Sequence, residues 1–302
     1  MNRIFYFNIN YICNNKCRFC FSYNTYTKLQ YTISIKNIID IIKLYNINKF
    51  DRVVINGGEP TLNKDLADIL SVLHKSNVEI ILYSNGILMS NLDYCKDILS
   101  KINRVVIPIH GNLKNHEYIT QNYGSYNKTI KAIKNIIQIG YSDKIELKFI
   151  VTNNMIQEYF SIPEFLKNFN TIKNLVITNQ VNTKIARNFN FIPPDQKQFC
   201  KYISKQLLEL IGKYSIKIIE CKICHLNSEV IHIIQSMDDG IDENFNEYIF
   251  FDGKFIKGKN LEYNSNEFCN RKQCVYNKYC RSIIDSCRVF HIGKEYKNLV
   301  IE

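Results

Sequence analysis

The sequence predicts an α/β fold, a partial (β/α)6 barrel of the TIM type followed by a small cysteine-rich domain. Apolar, strand-like runs alternate with segments of helical periodicity along most of the chain. The strands are uniformly apolar, as in a parallel sheet that is buried on both faces. Cysteine or polar residues follow most strands, where the reactive groups of such barrels gather. Periodicity alone is equally compatible with a doubly wound sheet.

The predicted elements come in strand–helix pairs. Strands are predicted at 4–9, 52–56, 79–84, 104–109, 144–151 and 174–178. Helices are predicted at 34–44, 65–74, 93–101, 127–139, 155–168 and 193–214. Ser34 suits the N-cap of the first helix, and Gly140 suits the end of the fourth. Pro163 is expected to kink or divide the fifth helix.

The chain is predicted to divide into a barrel at 1–215 and a C-terminal domain at 216–302. The strand–helix pattern ends near residue 215, and a β-hairpin with Asp252-Gly253 in its turn follows. This second segment has too few apolar residues for an independent core, so a bound metal group would stabilise it.

Composition restricts the cellular setting and the partners. The chain of 302 residues has 11 cysteines, no apolar run of membrane-spanning length and no signal peptide. We therefore expect a cytoplasmic protein, no membrane contact, and metal or redox chemistry in place of disulfides. The net charge of +11 is dispersed along the chain. A general lysine excess explains it as well as a binding patch would, so nucleic acid is not a predicted partner.

Three cysteines that follow the first strand predict an iron–sulfur site. Cys13, Cys17 and Cys20 have the spacing C-x3-C-x2-C. Three thiolates can hold a [4Fe–4S] cluster at three irons and leave the fourth iron open, whereas electron-transfer clusters use four cysteines. A zinc site is the alternative, although zinc prefers four ligands and paired C-x2-C units.

This motif, with Phe19 before its third cysteine and with Gly57-Gly58-Glu59-Pro60 after the second strand, resembles the radical SAM superfamily. The resemblance implies that Cys13, Cys17 and Cys20 bind a [4Fe–4S] cluster whose open iron chelates S-adenosylmethionine (SAM). It implies that the 57–60 turn meets the methionine amino group and that Phe19 packs over the cluster and adenine region. It also implies reductive cleavage of SAM to a 5′-deoxyadenosyl radical, which abstracts a hydrogen atom.

Four more candidate cofactor-binding residues follow the later strands. Ser84 and Asn85 resemble the family's small polar segment over the SAM methionyl and ribose groups, with a simple turn as the alternative. His110 is expected to face the ribose or the substrate, with an ordinary loop histidine as the alternative. Asn153 is expected either to bond to the adenosyl end or to cap the next helix.

The spacing C-x4-C-x5-C-x6-C from Cys269 to Cys287, preceded by Cys224 about 45 residues earlier, resembles the auxiliary-cluster domain called Twitch, a reduced form of SPASM. The resemblance implies an auxiliary [4Fe–4S] cluster, with structural zinc as the alternative. Cys221 and Cys287 are reserve ligands, and Cys95 and Cys200 are expected to be buried thiols. The expected ligands are Cys224, Cys269, Cys274 and Cys280.

A looser resemblance, over residues 107–130 and the strand after them, is to peptide maturases of the His-Xaa-Ser type. It implies a peptide or protein substrate, and a radical SAM enzyme for a small metabolite or nucleoside is the alternative. A non-catalytic metal-binding or electron-transfer protein is the second alternative. One expected partner is a reductant such as flavodoxin or ferredoxin. Since no domain precedes the first strand, we expect a leader peptide to be recognised either by a leader-binding partner protein or by the C-terminal region of this chain.

Overall fold

A computed structural model of the chain describes residues 2–20, 32–221, 223–230, 245–251 and 254–257. The strands are β1 Asn2–Asn8, β2 Arg52–Asn56, β3 Glu79–Tyr83, β4 Arg104–Ile109, β5 Ile145–Val151, β6 Asn174–Asn179, β7 Ser215–Ile219, β8 Phe245–Phe251 and β9 Lys254–Lys257. The helices are α1 Ile35–Tyr45, α2 Leu66–His74, α3 Leu92–Ser100, α4 Leu113–Thr120, α5 Ser125–Gln138, α6 Asn153–Gln157, α7 Ile162–Lys167, α8 Lys184–Asn188 and α9 Gln196–Leu210.

The described strands form a single sheet with the order β7-β6-β5-β4-β3-β2-β1-β8-β9. Strands β1 to β7 are parallel and neighbour one another in chain order, as in a partial barrel of the TIM type. A doubly wound sheet would reverse its strand order at a switch point, so that alternative is wrong. The predicted α/β partial barrel is confirmed.

The predicted hairpin is present and extends this sheet. Strand β8 pairs parallel with β1, and β9 pairs antiparallel with β8, with Phe251 opposite Lys254. Asp252 and Gly253 connect the two strands and lie outside the described residues. The sheet also continues through β7, beyond the predicted boundary at residue 215, and the division into two domains stays a prediction.

Alternation along the strands builds two apolar clusters on opposite faces of the sheet. The larger cluster packs between the sheet and the helices and includes Phe5, Val53 and Leu147. The smaller cluster, on the concave face, contains Ile4, Val54, Ile81 and Val106. Helices cover the face that carries the larger cluster, and the C-terminal ends of the parallel strands lie along one edge of the sheet.

Ion pairs close the opposite, N-terminal end of the concave face. The Glu79 carboxylate pairs with Arg52 at 2.6 Å and with Arg104 at 3.4 Å. The Glu146 carboxylate pairs with Arg104 at 3.4 Å and with Lys217 at 3.1 Å. Each pair is partly solvated and contributes little alone, but the series connects strands β2 to β5 and β7.

Most predicted elements lie within two or three residues of those observed. Ser34 caps α1 by accepting from the Asn37 amide, and Gly140 follows α5 with a φ of +84°. The helix predicted at 155–168 is divided into α6 and α7, and Pro163 lies in the first turn of α7. The sequence prediction missed α4, α8 and β7, whose short or polar sequences lack a clear apolar stripe. No helix in the described part of the chain is both long and apolar enough to cross a membrane.

Candidate SAM and iron–sulfur site

The three N-terminal cysteines lie in the segment that follows β1, here called the cysteine loop and comprising residues 9–20. Cys13, Cys17 and Cys20 are all half-buried. The Cys20 amide donates to the Cys17 carbonyl at 3.0 Å, and the Asn15 amide donates to the Cys13 Sγ at 3.4 Å. The loop therefore begins at the C-terminal end of the first strand, as the sequence predicts.

The glycine pair after β2 packs directly on the backbone of the cysteine loop. The Gly58 amide donates to the Asn10 carbonyl, and the Glu59 amide donates to the Ile12 carbonyl, both at 2.8 Å. A Cβ on Gly57 would lie 2.3 Å from the Asn10 carbonyl oxygen, and one on Gly58 would lie 2.2 Å from that of Ile12. The close approach that the sequence predicts for these glycines is thus made to the chain itself, and contact with SAM stays a prediction.

The Glu59 carboxylate connects the ends of β2 and β3. One oxygen accepts from the Thr61 amide at 3.2 Å, the Thr61 hydroxyl at 2.6 Å and the Ser84 hydroxyl at 2.7 Å. The other accepts from the Asn85 amide at 2.7 Å. Burial raises the pKa of Glu59, and these hydrogen bonds offset part of that effect. Pro60, also buried, begins the short 3-10 helix Pro60–Leu62.

Helix α4 holds the cysteine loop from the other side. The Lys16 amide donates to the Thr120 carbonyl and the Arg18 amide to the Ile119 carbonyl, both at 2.9 Å. The Asn122 Nδ2 atom donates to the Asn14 carbonyl and to the Asn15 Oδ1 atom, both at 2.9 Å. The Asn14 side chain in turn accepts from the Asn85 Nδ2 atom at 2.7 Å. Hydrogen bonds from the segments that follow β2 and β3 and from the C-terminal end of α4 therefore fix the loop that carries the cysteines.

Two buried histidines lie beside the cysteine loop. The His110 ring is 5.3 Å from the Phe19 ring and 5.1 Å from that of His116, centroid to centroid. Within the described residues, neither Nδ1 atom has a hydrogen-bond partner. Burial, with smaller effects of His116 and Lys148, holds the pKa of His110 well below its usual range. Burial also lowers the pKa of His116 to about 4, so both rings are neutral at pH 7.

Further polar atoms near the C-terminal ends of the strands are buried without a partner in the described part of the chain. They are the Asn10, Asn56 and Asn179 Oδ1 atoms and the Gln180 Oε1 atom. A buried acceptor without a donor is costly, and a ligand with amino and hydroxyl groups would satisfy it. These acceptors fit the amino and hydroxyl groups of SAM, and the mutual electrostatic effects of Cys13, Cys17 and Cys20 show that the three thiols lie near one another.

Burial favours the neutral, protonated forms of the Cys13 and Cys17 thiols. Burial, followed by repulsion from neighbouring anionic groups, raises the pKa of Cys13 to about 12 and that of Cys17 well above its usual range. Iron binding reverses this effect because a metal ligand must be a thiolate. In the described residues, no group of three or more His, Cys, Asp or Glu side chains is arranged to hold a metal ion. The assignment of Cys13, Cys17 and Cys20 as ligands thus stays a prediction from their spacing and loop.

Asn153 does not cap α6, which was one of the two roles that the sequence predicted for it. Thr152 caps α6 by accepting from the Met155 amide at 3.3 Å, and Asn153 is the first helical residue. The Asn153 Nδ2 atom donates to the Ile192 carbonyl at 3.0 Å. The capping alternative is therefore wrong, and contact with the adenosyl group stays a prediction.

The later cysteines fall into two groups. Cys95 and Cys200 are buried, as predicted, and the Cys200 Sγ atom lies 3.6 Å from the Sγ atom of the buried Cys221. Cys224 is exposed in the 3-10 helix Ile223–His225. The remaining predicted ligands and the reserve ligand lie outside the described residues: Cys269, Cys274, Cys280 and Cys287.

Sequence reasoning missed several residues around the site. Asn56 ends β2 and Asn10 lies two residues after β1, and a polar residue after an apolar strand was an available signal at both positions. His116 and Asn122 lie in or just after α4, which the sequence did not predict as a helix. Arg18 lies between two predicted ligands and showed no sign of its packing in the sequence.

Comparisons with known proteins agree with this geometry. A sequence model described as the radical SAM superfamily matches residues 7–158. A protein of Methanocaldococcus jannaschii, named as a candidate glycyl-radical enzyme activating enzyme, is 29% identical over 64% of this chain and 73% of its own. A protein of Saccharolobus islandicus, named as a probable GTP 3′,8-cyclase, is 26% identical over 53% of this chain and 51% of its own.

Two solved structures share the fold. SuiB of Streptococcus suis, bound to SAM, has a TM-score of 0.61 at 16% identity and covers 83% of this chain and 58% of its own. The protein anSMEcpe, bound to SAM and the Kp18Cys peptide, has a TM-score of 0.59 at 18% identity and covers 72% of this chain and 64% of its own. The chain therefore spans between half and three quarters of the length of these four proteins.

Proposed function

We infer the function from one premise: the chain belongs to the radical SAM superfamily. It is therefore an enzyme whose cofactors are a [4Fe–4S] cluster and SAM. When bound, these two supply one-electron chemistry, in which SAM is cleaved reductively and a hydrogen atom is abstracted from an unactivated carbon. The interpretation as a non-catalytic metal protein is wrong.

We propose that Cys13, Cys17 and Cys20 hold this cluster and that the rest of the site keeps their loop in place. The glycine pair and helix α4 contact the loop on two sides through four backbone hydrogen bonds of 2.8–2.9 Å. Such fixed positioning matters because a displacement of about 1 Å can cost on the order of 100-fold in rate.

Several more residues are proposed to contact SAM or substrate, the two glycines through their backbone, with Phe19 packing beside them. They are Gly57, Gly58, Glu59, Pro60, Ser84, Asn85, His110 and Asn153. Glu59 would act mainly through the backbone at its turn, because both of its carboxylate oxygens already accept hydrogen bonds. The neutral His110 and His116 rings would exchange hydrogen bonds with the ligand through their unpartnered Nδ1 atoms.

We propose that the substrate is a peptide or protein. The observation that carries this proposal is the shared fold with SuiB bound to its precursor peptide SuiA, with a TM-score of 0.59. The structure of anSMEcpe with a peptide adds a second case. A nucleotide or other small metabolite is the second candidate, and the 26% identity to a probable GTP 3′,8-cyclase favours it.

We further propose an auxiliary [4Fe–4S] cluster in the C-terminal segment, held by Cys224, Cys269, Cys274 and Cys280. The exposure of Cys224 agrees with this role, since a thiol that faces outward can meet ligands from a following segment. A buried thiol such as Cys221 is a poorer ligand because it already packs against Cys200. A reductant such as flavodoxin or ferredoxin would supply the electron, and a leader-binding protein would deliver a peptide substrate.

Isotope transfer tests the substrate class. The protein is reconstituted anaerobically with iron and sulfide, reduced, and incubated with SAM and either perdeuterated cellular peptides or perdeuterated nucleotides. We expect 5′-deoxyadenosine in both cases, with deuterium in it only when peptides are present. Deuterium from the nucleotide fraction alone would contradict the peptide proposal and leave the radical SAM assignment intact.

A further inference from the structure

Arg18, between two of the cysteines, is held in one orientation. Its guanidinium carbon lies 4.2 Å from the Tyr118 ring centroid and 5.3 Å from that of Phe189. Its Nε atom donates to the Tyr118 carbonyl at 2.9 Å. The two rings and this bond restrict the side chain, so little rotational freedom remains to be lost when a ligand binds.

The outer nitrogens of the same guanidinium are available. In the described part of the chain, Nε is the only atom of this group that donates a hydrogen bond, and no Asp or Glu forms an ion pair with Arg18. The residue is half-buried and thus reachable from solvent. A planar fork of two free nitrogens matches the two oxygens of a carboxylate.

Ring contacts lead from Arg18 to the interior of the site. The Tyr118 ring, 47% exposed, lies 6.2 Å from the Phe191 ring. Phe191 stacks on Phe19 at 5.9 Å, and Phe19 meets His110 at 5.3 Å. His110 is only 3% exposed. Arg18 therefore lies at the outer end of a continuous wall that reaches the buried end of the site.

The local charge favours an anion at this position. Lys16 is exposed in the same loop, and Arg187, two residues before Phe189, is exposed at the end of α8. The Arg187 Nη1 atom donates to the Asn182 carbonyl at 2.9 Å, so this second arginine is tied to its own segment. Positive charges on neighbouring segments raise the local concentration of acidic ligands.

We propose that Arg18 binds the carboxylate of an acidic side chain in the peptide substrate. This inference rests on the proposed peptide substrate. It adds that the peptide carries an acidic residue close to the residue that reacts. The other available carboxylate is that of SAM itself, and the experiment must separate the two.

Binding to the reconstituted holoenzyme tests the proposal without turnover. The probes are two rhodamine-labelled decapeptides of Gly, Ser and Tyr, one with a single central Glu and its twin with Gln, followed by anaerobic fluorescence anisotropy. We expect wild type to prefer the Glu peptide by about tenfold, the lower end for a charge-assisted pair. Arg18→Gln should abolish the preference, and Arg18→Lys, which keeps the charge but loses the fork, should abolish most of it.

Arg187→Gln is the matched control, since it removes one nearby positive charge and should keep the preference. SAM affinity should be unchanged in Arg18→Gln. The proposal would be overturned if Arg18→Gln and Arg187→Gln lost the preference for the Glu peptide equally, or if the wild type showed no preference. It would also be overturned if Arg18→Gln bound SAM more weakly and kept its preference for the Glu peptide. If Arg18→Gln loses iron, Tyr118→Leu, which removes one supporting ring, replaces it and should also reduce the preference.

Discussion

Gly58→Ala should displace the cysteine loop, because the backbone of that loop leaves no room for a Cβ at position 58. The added carbon would lie 2.2 Å from the Ile12 carbonyl oxygen and 2.8 Å from the Tyr11 carbonyl carbon. Both are backbone atoms, so no side-chain rotation relieves the contact. Since real contacts below 3.0 Å are essentially never seen, the two segments must separate by about 1 Å.

That separation has a calculable cost. It lengthens the two hydrogen bonds of 2.8 Å, from Gly58 to Asn10 and from Glu59 to Ile12, to about 3.8 Å, beyond bonding distance. Two lost bonds at about 1 kcal/mol each, plus residual strain of about 1 kcal/mol, give about 3 kcal/mol. At about 2–4 °C per kcal/mol, the Tm of the iron-free protein should fall by about 6–12 °C.

The assay compares Tm, iron content after reconstitution and production of 5′-deoxyadenosine. With the loop displaced by about 1 Å, SAM cleavage should fall on the order of 100-fold. Gly140→Ala is the matched control: its φ is +84°, nothing lies within 4 Å of the added Cβ, and it should cost about 1 kcal/mol without loss of iron. Wild-type iron content and SAM cleavage in Gly58→Ala would refute the view that glycine is needed to seat the loop.

Three further predictions concern the ligands and the buried histidine. Cys17→Ala should abolish SAM cleavage because two thiolates hold the cluster poorly, whereas Cys95→Ala should retain it; product chromatography decides, and 5′-deoxyadenosine from the Cys17 variant contradicts the assignment. Cys274→Ala should lower the iron content by about four atoms and keep some SAM cleavage, and an unchanged count rules out the auxiliary cluster. The pKa of His116 is about 4 in the folded protein and about 6.5 in the unfolded chain, so between these two values only the unfolded chain binds the proton. The free energy of unfolding therefore falls as the pH is lowered through this range. The free energy of unfolding of the iron-free protein, measured with urea, should therefore fall by about 2 kcal/mol between pH 7 and pH 5 because of this residue, and His116→Gln should reduce that fall; equal pH dependence in the wild type and the variant would contradict it.

Local signals were sufficient for much of the fold. Strands β2 and β4 were predicted with their observed limits, because uniformly apolar runs bounded by polar residues have few other solutions. Ser34 and Gly140 marked helix ends because a serine hydroxyl can accept from the first free amides of a helix and a glycine readily adopts the positive φ that follows its last turn. Helix α4 escaped prediction because its buried residues include Asn115 and His116, whose partners come from other parts of the chain.

The sequence by itself determined the class of chemistry of this protein, through the cysteine spacing, the glycine pair after β2 and the strand–helix repeat. Each of these signals is formed by residues that are close together in the chain. Only the tertiary structure decided which elements contact them. It established that the glycines pack on the cysteine loop, that Glu59 bonds to Ser84 and Asn85, and that Arg18 lies between Tyr118 and Phe189. These contacts join residues far apart in the chain, so no local pattern in the sequence specifies which of them meet.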